Sequence, residues 1–464
     1  MNTLTTAITE LEVDLDLIRR LDKNGPRYTS YPTADRFAKT FNAASYQNWV
    51  AKRDAAKPLS LYVHIPFCNT LCFYCACNKI ITKDRSKSAK YIQYLVKELE
   101  MQAALIPGER RLEQLHWGGG TPTFLSDEEM RTLMAAINKK FPLVKDGEYS
   151  IEIDPRKVSD ETIALLGELG FNRISIGVQD FDAEVQKAVN RIQSEEETLR
   201  VIRAARANGF KSVSLDLIYG LPKQTLESFK TTLHKVIAAN PDRLSIYNYA
   251  HMPTLFMPQR RIHEEDLPVP QTKLDILKLA VSMLTEAGYV YIGMDHFSKP
   301  DDELAIAQRQ GRLHRNFQGY STHADCDLVA VGISSIGKIG PTYSQNFRED
   351  EEYYAALDRN ELPIMRGMEL DADDLVRREI IQALMCHFAV DKEKFDAEFQ
   401  IDFDSYFAAE LAELAEYQRE GLLILSPQKV VVTPKGRMLI RNICMAFDKY
   451  LRTKQEHARY SKVI

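Results

Sequence analysis

Four of the seven cysteines lie within ten residues, at Cys68, Cys72, Cys75 and Cys77. The spacing C-x3-C-x2-C allows three thiolates of one loop to converge on a compact iron–sulfur cluster. Three ligands on a four-iron cluster leave one iron open, and reactive metal sites keep such a position for a substrate or cofactor. A structural zinc site is the weaker alternative, because it usually needs a second Cys or His pair from elsewhere in the chain.

A second group of residues stands where buried strands are predicted to end. Glu152 is a charged residue inside an apolar strand, and an unpaired buried carboxylate is costly, so a cationic or hydroxyl group of a ligand is its expected partner. Gln179 and Asp216 recur in the same way at the ends of later strands. Gly119 and Gly120 would let the backbone approach a ligand closely, or would simply form a tight turn. Each residue alone has an ordinary structural explanation, but their shared placement favours a site.

The elements that position these residues alternate regularly from Leu59 onwards. Short β-branched runs occur at 59–65, 113–117, 149–153, 173–178, 212–218 and 243–249. Amphipathic helical stretches lie between them, near 87–105, 127–140, 160–169, 182–189, 195–208 and 224–239. Ser126 with Glu129 and Ser194 with Glu197 form capping boxes at two helix starts. Strand–helix alternation predicts a parallel α/β sheet, either an incomplete (β/α) barrel or a doubly wound sheet, with a seventh strand at 289–293.

The pattern changes beyond about residue 370. Helices are predicted at 373–387 and 403–420, a hairpin at 422–425 and 430–433, and a final helix at 434–453. Helices followed by a hairpin resemble a winged-helix module. The chain has 60 basic and 65 acidic residues and a net charge of −5. We therefore expect a packing domain rather than a nucleic-acid reader.

The composition also bears on where the protein works. The first twenty residues are acidic and lack an apolar core, so no signal peptide is expected. No apolar run reaches the roughly 18 residues that a membrane helix needs. An odd cysteine count without paired spacing is unlike a secreted disulfide framework. We expect a soluble cytoplasmic protein.

The cysteine spacing, with the aromatic Tyr74 just before the third cysteine, resembles the radical S-adenosylmethionine (SAM) superfamily. A wider set of segments is similar to the bacterial oxygen-independent coproporphyrinogen III oxidases, and it covers nearly the whole chain. These segments are residues 27–33 (RYTSYPT), Cys77, 117–122 (WGGGTP), 177–181 (GVQDF), 216–222 (DLIYGLP), 314–320 (HRNFQGY) and 441–445 (RNICM).

The resemblance implies a fold and a reaction. The fold would be α/β: an incomplete (β/α)6 radical SAM barrel at 58–365, an N-terminal extension at 1–57 that lines the active site, and a mainly helical, winged-helix-like domain at 366–464. A 5′-deoxyadenosyl radical would take a hydrogen atom from the β-carbon of a propionate, and loss of CO2 and one electron would leave a vinyl group. Two such steps convert coproporphyrinogen III to protoporphyrinogen IX in haem biosynthesis.

The resemblance also implies cofactors and partners. A [4Fe-4S] cluster would be held by Cys68, Cys72 and Cys75, and two SAM molecules would bind. SAM binding is carried onto Tyr62, Tyr74, Gly119, Gly120, Thr121, Glu152, Gln179, Arg191, Asp216, Ala250 and Ile336. The expected partners are the substrate and a reduced electron donor such as a flavodoxin or ferredoxin. A monomer is expected, with no nucleic-acid or membrane partner.

Cys77 would lie off the cluster, near the second SAM or the substrate, in a catalytic role; the alternative is a small buried residue. Ala76 replaces the glycine that the resemblance leads us to expect, and it would strain the loop if its φ were positive. The cations available for the substrate's propionates are Arg27, Arg260, Arg261, Arg309 and Arg315.

A related haem chaperone of the same superfamily is the main alternative function. Such proteins share the three-cysteine motif but lack equivalents of Cys77 and of the N-terminal RYTSYP segment. Both features are present here, so the sequence favours the enzyme.

Overall fold

The computed structural model describes residues 11–323, 326–451, 460 and 462. The chain divides into two compact units. The sheet unit comprises residues 37–269 and 325–369, and the composite unit is assembled from residues 1–36, 270–324 and 370–464.

The sheet unit is built on the predicted strand–helix alternation. Its parallel strands, within the described residues, are β1 (Leu59–Ile65), β2 (Leu112–Gly119), β3 (Leu143–Ile153), β4 (Arg173–Gln179), β5 (Ser212–Tyr219), β6 (Arg243–Asn248) and β7 (Asp327–Val331). Their order across the sheet is β7-β1-β2-β3-β4-β5-β6. Antiparallel strands extend the sheet beyond β7: β8 (Ile336–Ile339), β9 (Thr342–Asn346) and β10 (Ile364–Glu369). The carboxyl ends of the parallel strands share one edge, where ligand sites of such folds form.

The helices of this unit are α1 (Ala43–Ala51), α2 (Ser86–Leu105), α3 (Asp127–Lys140), α4 (Asp160–Glu168), α5 (Ala183–Ala188), α6 (Glu195–Ala207), α7 (Leu226–Ala239) and α8 (Asp350–Asp358). The six helices from α2 to α7 lie at nearly the predicted positions, whereas α1 and α8 were not predicted. Both predicted capping boxes are present, at the starts of α3 and α6. The predicted α/β fold is therefore confirmed in this unit, although β3 begins six residues earlier than predicted and β7 was not predicted.

The composite unit combines helices with antiparallel strand pairs. Its helices are Leu15–Leu21, Pro270–Glu286, Glu303–Arg309, Ala372–His387, Lys392–Phe399, Phe403–Tyr406, Ala408–Arg419 and Ile440–Ala446. Its paired strands are Val290–Gly293 with His296–Ser298, His314–Asn316 with Gly319–Ser321, and the three-stranded set Ala389–Asp391, Leu423–Leu425 and Lys429–Val432. The predicted strand at 289–293 and the predicted C-terminal hairpin are confirmed.

Two helix predictions in this unit are wrong in their bounds. The helix expected at 403–420 is divided into Phe403–Tyr406 and Ala408–Arg419. The final helix was expected at 434–453 but spans Ile440–Ala446. Asp448 explains the end, because its side chain accepts hydrogen bonds from the Tyr450 backbone N–H (2.9 Å) and the Tyr28 hydroxyl (3.0 Å). An aspartate that bonds a backbone group two residues on favours a turn over a helix. Residues 452 and 453 lie outside the described part of the chain. Across the described residues, no helix has both the length and the apolar character needed to span a bilayer.

A buried carboxylate of α2 supports the turn after β7. Glu98 is fully buried and accepts hydrogen bonds from the Gly332 backbone N–H (2.8 Å), the Asn346 amide (2.6 Å) and the Tyr353 hydroxyl (2.6 Å). Burial raises the pKa of Glu98 to about 7, against the opposing effect of these donors. Glu98 thus joins α2 and α8 to the end of β7, at the edge of the sheet where ligand sites form.

We expect Glu98→Gln to destabilise the protein by about 2 kcal/mol at pH 5, because an amide cannot accept from all three donors. The folded pKa lies above the ordinary value of 4.5, so between these pH values the folded protein holds a proton that the unfolded chain has released. Stability of the unsubstituted protein therefore falls as pH rises, by at most about 1.4 kcal/mol per pH unit. The deficit of the variant should shrink between pH 5 and pH 7 in thermal unfolding. A deficit that is constant or grows with pH would contradict this assignment.

Candidate active site

The cysteine loop follows β1 directly and is closed by a short ladder. Residues Phe67–Cys68 pair in parallel with Ile80–Ile81. Within the loop, the Cys75 N–H donates to the Cys72 carbonyl (3.2 Å) and forms a turn. A ring nitrogen of His64, on β1, lies 3.0 Å from the Asn78 carbonyl near the end of the loop. The loop is therefore held at both ends while its thiols remain available.

All four cysteines of the loop line one cavity of about 320 Å³. Cys72 is buried, and Cys77 is exposed. Burial raises the pKa of Cys68 to about 11, and its sulfur lies 3.5 Å from the Thr121 hydroxyl. The pKa of Cys75 is lowered to about 6 by a hydrogen bond with the Cys77 thiol and by the nearby Lys79. The four thiols therefore line one cavity, and their roles as cluster ligands stay a prediction.

Two guanidinium groups approach the Cys72 sulfur. Arg191 Nη1 lies 3.7 Å from Cys72 Sγ, and Arg156 Nη2 lies 3.9 Å from it. The Asp154 carboxylate is 2.6 Å from Arg156 and 3.6 Å from Arg191. Among the described residues, the buried Nε of Arg191 has no hydrogen-bond partner. This arrangement suits a thiolate that carries negative charge, and it leaves a donor for a ligand.

Glu152 lies at the end of β3 with its side chain 45% exposed to the cavity. Its Oε1 lies 3.3 Å from His116 Nε2, and its Oε2 accepts the Gly119 N–H (3.1 Å). Burial opposes ionisation, but the His116 and Gly119 contacts hold the pKa of Glu152 below its ordinary value. Glu152 is therefore a fixed anion, which suits a cationic ligand group.

The two glycines after β2 are required by close packing. Gly119 has φ +115°, and a Cβ there would lie 2.6 Å from the His64 ring. A Cβ on Gly120 would lie 2.6 Å from the Pro66 carbonyl oxygen. Close packing within the protein therefore requires glycine at both positions, and both residues also line the cavity.

Gln179 and Asp216 complete the polar wall of the cavity. Gln179 has φ +67°, unusual for a residue with a side chain, at a register shift between β4 and β5. Such backbone strain is characteristic of functional sites. Burial raises the pKa of Asp216 to about 6, although its carboxylate accepts the Ser175 hydroxyl (2.8 Å).

Most of the predicted site residues line this cavity. They are Cys68, Cys72, Cys75, Cys77, Tyr74, Gly119, Gly120, Thr121, Glu152, Gln179, Arg191 and Asp216. Tyr62, Ala250 and Ile336 do not line it. Tyr62 stacks on His116 with ring centres 5.9 Å apart, Ala250 follows β6, and Ile336 begins β8.

Two results differ from the sequence-based expectations. Ala76 does not adopt a positive φ, so the strain expected from the missing glycine does not arise. Asp154, Arg156 and His116 were not predicted as part of the site. Asp154 and Arg156 lie just after β3, so the strand-end position that indicated Glu152 also indicates them. His116 lies inside β2, and no sequence signal connects it with Glu152, which is 36 residues away.

Comparisons with known proteins place the chain in a family. The Radical SAM superfamily model matches residues 62–236, and the HemN C-terminal domain model matches residues 370–439. The oxygen-independent coproporphyrinogen III oxidase of Pseudomonas aeruginosa is 53% identical over 97% of this chain and 98% of its own length. That of Escherichia coli is 48% identical over 99% of this chain and 100% of its own length. The solved structure of the Escherichia coli enzyme, described as a radical SAM enzyme, covers 95% of this chain and 100% of its own with a TM-score of 0.92.

The fold and the three-thiol cavity define a radical SAM enzyme. Within this class of enzyme, the HemN C-terminal domain at residues 370–439 and the match to these relatives over nearly the whole chain indicate one family. The chain belongs to the family of oxygen-independent coproporphyrinogen III oxidases. The predicted incomplete barrel with a helical C-terminal domain is confirmed, and these relatives give no support to the haem-chaperone alternative.

Membership of the radical SAM family implies a [4Fe-4S] cluster and SAM. The donor set fits both groups. Three thiols line one cavity, and a fixed carboxylate and a buried guanidinium N–H without a hydrogen-bond partner among the described residues lie beside them.

Proposed function

We propose that this chain converts coproporphyrinogen III to protoporphyrinogen IX without oxygen, by oxidative decarboxylation of two propionate side chains in haem biosynthesis. The observation that carries this function is the cavity where the C-x3-C-x2-C thiols meet Glu152, Arg191 and Asp216. It occurs in a chain whose family carries the name of that reaction. When bound, the cluster and SAM supply one-electron chemistry that removes a hydrogen atom from an unactivated carbon.

The residues of the cavity divide by chemistry. Cys68, Cys72 and Cys75 hold the cluster, and Arg156 and Arg191 donate toward the Cys72 sulfur. Glu152 takes the amino group of SAM, and Arg191 takes its carboxylate, because each offers the opposite charge. The wider SAM-binding set is Tyr62, Tyr74, Gly119, Gly120, Thr121, Gln179, Asp216, Ala250 and Ile336. A set of this size suits two SAM molecules, as the family resemblance implied.

The setting of the reaction is also part of this proposal. A flavodoxin or ferredoxin donates the electron, and the chain acts as a monomer in the cytoplasm, without a nucleic-acid or membrane partner. The net charge of −5 supports the exclusion of nucleic acid. The functional division is an N-terminal extension at 1–57, a catalytic part at 58–365 and a helical part at 366–464.

Cys77 is proposed to act in catalysis and not as a cluster ligand, because it lies outside the C-x3-C-x2-C spacing and the family resemblance implies a fourth cysteine off the cluster; it lines the same cavity as the three proposed ligands. We expect Cys77→Ser to keep iron and sulfide at the level of the unsubstituted protein but to lose turnover. Cys68→Ser is the matched comparison, and it should lose the cluster. Iron analysis and the visible absorption spectrum of anaerobically reconstituted protein measure the difference. Equal loss of iron in both variants would make Cys77 a ligand.

The function itself is tested by turnover. Anaerobically reconstituted protein, given a reductant, SAM and coproporphyrinogen III, should form protoporphyrinogen IX. SAM cleavage without decarboxylation, even with an electron acceptor present, would leave only the superfamily assignment. Binding of haem without turnover would instead favour the chaperone.

A further inference from the structure

One arginine of the composite unit is buried with unused hydrogen-bond donors. Arg315 is 4% exposed, and its Nε and Nη1 atoms have no hydrogen-bond partner among the described residues. A buried guanidinium without a counter-charge is costly, and folded proteins normally pair it. The described residues therefore do not explain why a charged side chain is buried at this position.

The side chain is held in place despite its unused donors. Arg315 and Tyr320 are opposite each other in the hairpin of His314–Asn316 and Gly319–Ser321, and the guanidinium lies 4.8 Å from the Tyr320 ring centre. The Tyr320 hydroxyl donates to the Met385 carbonyl (3.0 Å). The Gln382 amide binds both the backbone N–H (3.1 Å) and the carbonyl (2.7 Å) of Arg315. The group is thus fixed in advance, as a recognition site requires.

Two more arginines of the same unit add positive charge nearby. Arg441 is 3% exposed and donates to the Gly25, Pro26 and Lys462 carbonyls, which are neutral acceptors. Burial, together with repulsion from Arg27 and Arg315, lowers the pKa of Arg441 to about 10. Arg27 forms an ion pair with Asp295 at 2.9 Å.

The acidic groups near these arginines, among the described residues, already have partners. Asp295 is paired with Arg27, and Glu379, near Cys386, is paired with Arg378 at 3.1 Å. Asp448 accepts hydrogen bonds from the Tyr28 hydroxyl (3.0 Å) and the Tyr450 N–H (2.9 Å). The unused donors of Arg315 therefore remain available, and a carboxylate is the group whose geometry a guanidinium binds best.

The other candidate cations lack this character. Arg260 and Arg309 are exposed and donate to the Pro253 and Pro300 carbonyls. Arg261 is exposed beside the Phe73 ring. A specific contact with a carboxylate is expected from a guanidinium that is buried, fixed in place and short of hydrogen-bond partners. Of these four arginines, Arg315 is the one with all three properties.

We propose that Arg315, with Arg27 and Arg441, forms a carboxylate-binding subsite that takes one propionate group of the porphyrinogen. The subsite rests on the function proposed above. The methionyl carboxylate of SAM shares this chemistry, so the test must separate the two ligands.

The test uses full-length, anaerobically reconstituted protein and the variant Arg315→Met. The probe is coproporphyrin III, the fluorescent oxidised form that keeps the four propionates of the substrate. Its affinity should fall by roughly 10- to 100-fold, the loss expected for a charge-assisted hydrogen bond. The affinity for the tetramethyl ester of the same ring, and for SAM in equilibrium dialysis, should stay within twofold. Arg309→Met, which removes an exposed arginine of the same unit, should leave all three affinities unchanged.

The melting temperature of the ligand-free variant separates a ligand-binding role of Arg315 from a purely structural one. Removing a buried charge reserved for a ligand should leave the melting temperature of the ligand-free protein unchanged or raised. Arg315→Lys keeps the charge but not the planar fork, so its affinity for coproporphyrin III should be intermediate. The subsite would be overturned if Arg315→Met bound coproporphyrin III with unchanged affinity, or if it lost affinity for SAM alone. It would also be overturned if the variant had a lower melting temperature and bound every ligand equally more weakly. If the unsubstituted protein fails to bind or convert the tetracarboxylate, the proposed function fails instead.

Discussion

Replacing Cys72 with alanine is expected to remove the iron–sulfur cluster and to abolish both SAM cleavage and decarboxylation. Cys72 is the buried thiol of the loop, and two arginines approach its sulfur. Loss of a ligand should exceed the roughly 10- to 100-fold effect of residues that only support one. Iron and sulfide content, the 400 nm region of the absorption spectrum and product formation measure the result.

Cys386→Ala is the matched control for this substitution. Cys386 is also a buried cysteine, on the helix Ala372–His387, and it lies outside the cavity. The control should keep a full complement of iron and sulfide. Retention of the cluster in Cys72→Ala would mean that the three-thiol assignment is wrong.

Replacing Glu152 with glutamine is expected to weaken SAM binding by roughly 10- to 100-fold, because a charge-assisted hydrogen bond is worth about 1.5–3 kcal/mol. The carboxylate is fixed by His116 and the Gly119 N–H, with a pKa held below its ordinary value. An amide keeps the shape but not the charge that a SAM amino group would meet. Equilibrium dialysis with labelled SAM measures the affinity, and iron content should remain unchanged.

The control for Glu152→Gln is Glu128→Gln, an exposed carboxylate on α3. It should bind SAM as the unsubstituted protein does. If Glu152→Gln binds SAM normally, the carboxylate does not contact the amino group. If it loses iron as well, Glu152 supports the cluster loop rather than SAM.

Local patterns predicted most of the sheet unit. The strands from β1 to β6 and the capped starts of α3 and α6 follow from hydrophobic periodicity and from Ser–Glu spacing, which act within a few residues. The strand β7 was missed because an apolar run of only four residues, 328–331, after a polar stretch is too short to be identified as a strand. Its pairing with β1 joins residues more than 260 positions apart, and no local pattern encodes that contact.

The site residues that could be predicted are those whose functional groups lie close together in the sequence or at the ends of predicted strands. The spacing of Cys68, Cys72 and Cys75 indicated a shared cavity, and the strand-end positions of Glu152 and Gln179 indicated its wall. Asp216 also lines the cavity, but it lies inside β5. The partners that tune these groups, such as His116 for Glu152, come from neighbouring strands and require the register of the sheet. Likewise, the composite unit draws on three separate segments, and their assembly is not visible in periodicity.

The most direct test of the proposed reaction is the stoichiometry of decarboxylation. Coproporphyrinogen III labelled in its propionate carboxyl groups is supplied to the reconstituted protein with SAM and reductant, without oxygen. We expect the unsubstituted protein to release two labelled CO2 molecules for each protoporphyrinogen IX formed, and the Cys72→Ala variant to release none. Release of CO2 by the cluster-free variant, or an intact cluster and SAM cleavage without any labelled CO2, would contradict it.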